Sequence, residues 1–236
     1  MSPVQTTEGT VDLEPFVPPV VVIGKLAIAA IICVNVLNAY AIAAGPFEAG
    51  RAWYLLNQES NPSTWLSVML FAGVAVLAGV CAVVDREHRR RFWTLVALSL
   101  LAMSLDDAAT VHERIGGSVD STAESGADLT YLWVVPWACL AVIIGVALWR
   151  LRPRLPAATR NQLVLGASIA IGAAVILEVV ATKTVNSAGS TTAKLSLYSV
   201  EENLELIGTF LMGMAVARHA RGLSDRSSGS APATRR

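Results

Sequence analysis

Apolar residues in this chain fall into six long runs parted by short polar stretches, and most runs lack the polar stripe, recurring every 3.6 residues, of a helix on a protein surface. A helix rises about 1.5 Å per residue and a hydrocarbon layer is about 30 Å thick, so one crossing takes about 20 mostly apolar residues. The runs predict six crossings, near Val20–Ala44, Thr64–Val84, Phe92–Glu113, Leu132–Leu151, Gln162–Thr182 and Val200–Ala217. The expected fold is an all-α polytopic membrane helix bundle. Its expected domains are a cytoplasmic N-terminal segment over 1–19, a six-helix transmembrane domain over 20–218 and a disordered, basic cytoplasmic tail over 219–236.

Composition points the same way: 54% of the 236 residues are hydrophobic and 15% charged, outside the range of ordinary soluble domains. The formal net charge of zero conceals an asymmetry along the chain. Arginines gather in Asp85–Arg91, Arg150–Arg160 and Arg218–Arg236, and the loops between these segments collect acids. Short loops rich in Lys and Arg stay on the cytoplasmic side, so a multi-pass protein of the cell (plasma) membrane with both termini cytoplasmic is expected. No basic residue precedes the first apolar run, which argues against a cleaved signal peptide. Cys33, Cys81 and Cys139 sit in separate apolar runs without C-x-x-C spacing and read as small hydrophobes. Trp65, Trp93, Trp133 and Trp149 stand near span ends, as interfacial anchors do. His88 and His219, in basic segments, read as solvated.

Candidate chemistry lies at the opposite side from the arginines. The third span ends S-L-D-D-A-A-T-V-H-E, and the sixth opens Y-S-V-E-E-N-L-E. Ionised carboxylates at hydrocarbon depth cost several kcal/mol unless paired, coordinated or wet. On a continuous helix Asp106 and Glu113 share one face to within about 20°, His112 flanks them and Asp107 points elsewhere. Negative charge at a helix C-terminus opposes the macrodipole, so these acids need a partner, although a frayed and solvated helix end is the simpler alternative. Ser199-x-x-Glu202 fits a capping box, which by itself would account for Glu201 and Glu202, whereas Glu205 lies a turn deeper and is expected to face a polar interior. Glu178 stands among apolar neighbours in the fifth span and is a candidate proton-transferring group. Glu59 reads as a loop acid before a helix capped by Ser63 or Thr64. Asn35 and Asn38 read as interhelical glue, and Gly166 as a close-packing position.

Together N-P-S-T-W at Asn61–Trp65, S-L-D-D-x-x-x-x-H-E and E-E-x-L-E resemble a group of uncharacterised bacterial multi-pass membrane proteins. The resemblance covers the six-span body. It implies weight on Asp106, His112, Glu113, Glu202 and Glu205 and carries no reaction.

Three functions compete. The first is a divalent metal site of Asp106, His112, Glu113, Glu202 and Glu205, in an enzyme acting on a lipid-like or other small substrate with Glu178 and Glu205 as catalytic acids or bases. An oxygen-rich set with one imidazole suits Fe, Mn, Mg or Ca better than structural zinc. The second is a proton- or cation-coupled transporter, and the third a non-catalytic assembly protein. Membrane lipids are the expected surroundings. No Walker A loop or H-E-x-x-H occurs, and the basic loops match topology and headgroups, so no nucleic-acid partner is expected. Oligomeric state stays open.

Overall fold

A computed structural model describes residues 17–44, 54–55, 61–85, 87–111, 114, 134–151, 155–177, 179–180 and 191–228. Among these the regular structure is helical, with no strand: α1 (Val17–Ala44), α2 (Pro62–Val84), α3 (Glu87–Ala109), α4 (Val134–Leu151), α5 (Ala157–Gly172, continued by a π-helical turn Ala173–Leu177) and α6 (Thr191–Ser228). Val22–Ala44, Pro62–Val84, Arg89–Ala109 and Ala157–Leu177 are each long and apolar enough to cross a membrane, and α4 carries a shorter apolar stretch, Ala138–Leu151. In α6 the acids Glu201, Glu202 and Glu205 interrupt the apolar run. Val76, Val83, Leu101, Val142 and Ile143 turn their side chains outward. An exterior this apolar suits lipid and would be a liability in water. The protein is an integral membrane helix bundle.

α2 packs along α3 on one side and against α6 on the other; α6 in turn meets α5 and α1, and α4 lies on α3. The main core holds Phe71, Val74, Ala75, Ala78, Trp93, Val96, Leu100, Met212 and Val216, drawn from α2, α3 and α6. Glycines bring α5 and α6 into backbone contact. A Cβ on Gly166 would sit 2.6 Å from the Gly208 carbonyl oxygen, and one on Gly208 would sit 2.5 Å from that of Gly166. Without a hydrophobic drive between helices in lipid, such close approach is what holds them together. Asn61, not Ser63 or Thr64, caps α2: its Oδ1 accepts the Thr64 N–H at 2.9 Å, and Pro62 follows in the first turn, where a missing N–H costs nothing.

Two sequence expectations fail at the arginine-rich end. His219 is not solvated, and Trp93 is no lipid anchor: His219 is 6% exposed and Trp93 fully buried. Both donate to Asp85 Oδ2, His219 from Nε2 at 2.8 Å and Trp93 from Nε1 at 3.2 Å. Arg89 approaches the other carboxylate oxygen at 3.4 Å, and the Trp93 and His219 rings lie 4.8 Å apart. Asp85 is the C-cap of α2, so one buried carboxylate clasps α2, α3 and α6 together. α6 also continues to Ser228, ten residues into the stretch expected to be a disordered tail. The clasp gives that extension a packed starting point at His219. Trp65 and Trp149, both 65% exposed, keep the anchor reading, and Trp133 lies outside the described residues.

Removing the Asp85 carboxylate leaves two buried N–H groups without an acceptor. Asp85→Ala should lower stability by about 3 kcal/mol or more, read as a loss of melting temperature in detergent, with Asp85→Asn losing less; an unchanged melting temperature in both would refute the clasp. Gly208→Ala should also destabilise by forcing α5 and α6 apart. The control Gly79→Ala, whose added Cβ meets nothing within 4 Å, should be neutral or stabilising, because alanine is the better helix former by about 1 kcal/mol.

Candidate functional site

At the other end of the bundle the helices carry carboxylates instead of arginines. α2 and α3 are tied there twice. Ser67 donates its hydroxyl to Asp107 Oδ2 at 2.6 Å, and Ser104 donates to the Val68 carbonyl at 3.0 Å. Charge-assisted O–H···O⁻ bonds of this length are among the stronger single contacts a helix pair can make. Asp107, which helical periodicity had pointed away from the candidate cluster, is thus held in place by a neighbouring helix. Asp106 is partly exposed beside it.

α3 does not run on to Glu113. It ends at Ala109, and Thr110 takes φ 51°, a left-handed conformation that a β-branched residue rarely adopts. Arg114 holds the break, its backbone N–H donating to the Thr110 carbonyl at 3.1 Å and its Nε–H to the Thr110 hydroxyl at 3.2 Å. The expectation of one continuous helix from Asp106 to Glu113 therefore does not hold past Ala109. His112 and Glu113 themselves lie outside the described residues, as does Glu59.

On α6 the capping-box reading is also overturned. The helix begins at Thr191, so Ser199 is two turns inside it, and its hydroxyl donates to the Leu195 carbonyl at 2.7 Å. Glu201 and Glu202 consequently sit in a helix interior, where the dipole of a first turn gives them no support. Glu201 is 8% exposed, whereas Glu202 and Glu205 are half-buried. By helical geometry Glu201, Glu205, Gly208, Met212 and His219 lie on one face of α6. Glu201 and His219 stand about five turns, or ~27 Å, apart along it. From the sequence, one capping-box account covered Glu201 and Glu202 and left Glu201 out of the ligand candidates; the burial of Glu201 depends on the fold.

α1 joins this end through Asn38, whose Nδ2 donates to the Ser199 hydroxyl at 2.9 Å, as expected of interhelical glue. Asn35 donates instead to its own helix, at the Ile31 carbonyl. Asn203 likewise donates to the Ser199 carbonyl. Between α1 and α6 an open groove of about 490 Å³ is lined by Asn35, Asn38, Ser199, Asn203 and apolar neighbours. Glu178 lies outside the described residues, immediately after the π-helical turn Ala173–Leu177. Turns of that kind occur often at functional sites.

Among the described residues no three His, Cys, Asp or Glu side chains converge as a metal would require. Asp106, Glu202 and Glu205 therefore do not make a complete ligand set by themselves, and a metal held here would draw on His112 or Glu113 as well. What the described residues provide is five carboxylates (Asp106, Asp107, Glu201, Glu202, Glu205) at one level of two helices that flank α2. Ser67 and Ser104 were not singled out from the sequence. Their signal was a hydroxyl within an apolar span, which in lipid bonds across to a neighbouring helix.

No curated protein and no solved structure matches the chain. A family model described as Domain of unknown function (DUF8692) matches residues 25–220. The match begins in α1 and ends just past His219, taking in both the clasp and the carboxylate-bearing ends of α3 and α6. The chain belongs to the DUF8692 family.

Proposed function

We propose that this protein holds a divalent cation at its carboxylate end and uses it on a lipid-like substrate. The proposed setting is the plasma membrane, with the carboxylates toward the outer face and both termini in the cytoplasm. The observation that supports the reading is that α3 and α6 carry five carboxylates toward the same end of the bundle, two of them held in place: Asp107 by the Ser67 hydroxyl, and Glu201 by burial. Carboxylates carried at the same end of a low-dielectric bundle repel one another, and a cation would relieve that repulsion. The left-handed Thr110, between Asp106-Asp107 and His112-Glu113, supports it further. Backbone held in a costly conformation tends to occur where the surroundings of a site require it.

In this reading Asp106, His112, Glu113, Glu202 and Glu205 are the ligand candidates, and an oxygen-rich set favours Fe, Mn, Mg or Ca. The cation would supply Lewis acidity toward a substrate oxygen. Of the chain's own groups, Glu205 and Glu178 are the acids or bases in this reading.

A second reading, proton- or cation-coupled transport, gains from the Asp85–His219 pair. It puts a buried titratable group at the far end of the α6 face that carries Glu201 and Glu205. The apolar layer between the two ends, with Phe71, Val74, Val96, Leu100 and Met212, counts against a continuous relay.

The test is elemental analysis of detergent-purified wild type beside Glu205→Gln and His112→Ala, with folding read on the same samples. Near-stoichiometric metal in wild type, lost from both folded variants, is the expected result. A folded wild type that stays empty after incubation with Fe, Mn, Zn and Ca would overturn the metal reading and favour transport.

A further inference from the structure

We infer that the groove between α1 and the first half of α6 binds a neutral amphiphile whose head is a hydroxyl group and whose tail is a long hydrocarbon chain. This deepens the lipid-like substrate of the preceding section and rests on that reading only for what happens to the ligand once bound. The groove's volume of about 490 Å³ falls within the usual range of small-molecule sites, roughly 300–1,000 Å³. It lies beside α1, on which Val34, Asn38 and Ala41 are the buried side chains among those described.

The polar lining decides the head group. Asn35 and Asn203 each donate one amide hydrogen to a carbonyl of their own helix, to Ile31 at 2.8 Å and to Ser199 at 2.7 Å. A carbonyl can only accept, so these bonds fix which side of each amide is nitrogen. Both Oδ1 atoms accept no hydrogen bond among the described residues, and each nitrogen keeps a second N–H. The groove thus offers acceptors and donors side by side, which a hydroxyl, itself donor and acceptor, matches.

Charge excludes the common alternatives. No Lys, Arg, Asp or Glu is among the described residues that line the groove. Asn35 lies about 13 Å before the end of α1, at a depth where an ionised head without a counter-charge costs several kcal/mol. Carboxylate, phosphate and ammonium heads are therefore disfavoured. Ala39, Ile42, Val200 and Leu204 supply the apolar wall for the tail.

The probe is a hexadecanol analogue with a photoreactive group in its tail, crosslinked to the full chain in lipid nanodiscs. Competition by unlabelled hexadecanol, by palmitate and by hexadecylamine follows. Hexadecanol should displace the probe and the two charged chains should not. Asn203→Leu should weaken binding about tenfold, the loss that one net hydrogen bond predicts. Ala39→Trp, which fills the groove while leaving its amides intact, should abolish specific labelling even if Asn203→Leu fails to fold. Equal competition by palmitate, or undiminished labelling of folded Ala39→Trp, overturns the proposal. Repeating the assay after chelation separates it from the metal reading. Labelling that survives in metal-free protein supports the groove whatever the elemental analysis shows, and labelling absent from metal-loaded wild type sinks the groove alone.

Discussion

Hydrocarbon supplies neither hydrogen bonds nor counter-charges, so each polar group on a spanning helix must find its partner inside the bundle. That constraint organises this protein. Among the described residues its interhelical side-chain bonds fall into two layers, one at each end, and the space between is filled by Phe71, Val74, Ala78, Val96, Leu100, Met212 and Val216. At one end Asp85 gathers donors from α3 and α6. At the other, Ser67 holds Asp107, and Asn38 joins α1 to α6 through Ser199. α2, α3 and α6 take part in both layers, and the close contact of α6 with α5 at Gly166 and Gly208 depends on the absence of any side chain there. The whole arrangement is a set of local satisfactions at two levels, connected by apolar packing.

Much of this was legible in the sequence, and the reason is physical. Whether a segment crosses lipid depends on its summed apolarity, which composition alone reveals, so all six helices fall where the apolar runs lie. Asn38 and Gly166 were legible for a related reason: a polar or very small residue in an apolar span has few uses other than contact with a neighbouring helix. Helix ends were harder. Ser199-x-x-Glu202 satisfies the local rule for a helix start, yet α6 begins at Thr191, because nothing local prevents a helix from running through a capping pattern when the residues before it also propagate. At Thr110 the reverse happened: no Gly or Pro marks the break after Ala109, and the left-handed residue is a threonine.

Long-range pairing was the part that sequence could not supply. His219 and Asp85 are separated by 134 positions, and each sits among arginines, where solvation is the ordinary expectation. Only the fold shows that the two meet out of water with Trp93 between α2 and α6. The same blindness applied to Asp107, whose partner Ser67 lies on a different helix. Within the acidic motifs the fold defines Asp107 through Ser67 and buries Glu201, while Asp106, Glu202 and Glu205 stay proposed ligand candidates. The proposed cation site and the α1–α6 groove lie toward the same end, so a neutral lipid alcohol and a carboxylate-bound metal would be neighbours.

In the proposed topology an apolar slab separates two polar layers on opposite faces of a membrane. Single cysteines placed at Arg114 and Arg221, both exposed and at opposite ends, test it most directly in a background where Cys33, Cys81 and Cys139 are replaced. In intact cells a membrane-impermeant maleimide should label Arg114→Cys at once and Arg221→Cys only after permeabilisation. Labelling of both positions from the same side of an intact membrane would contradict the account.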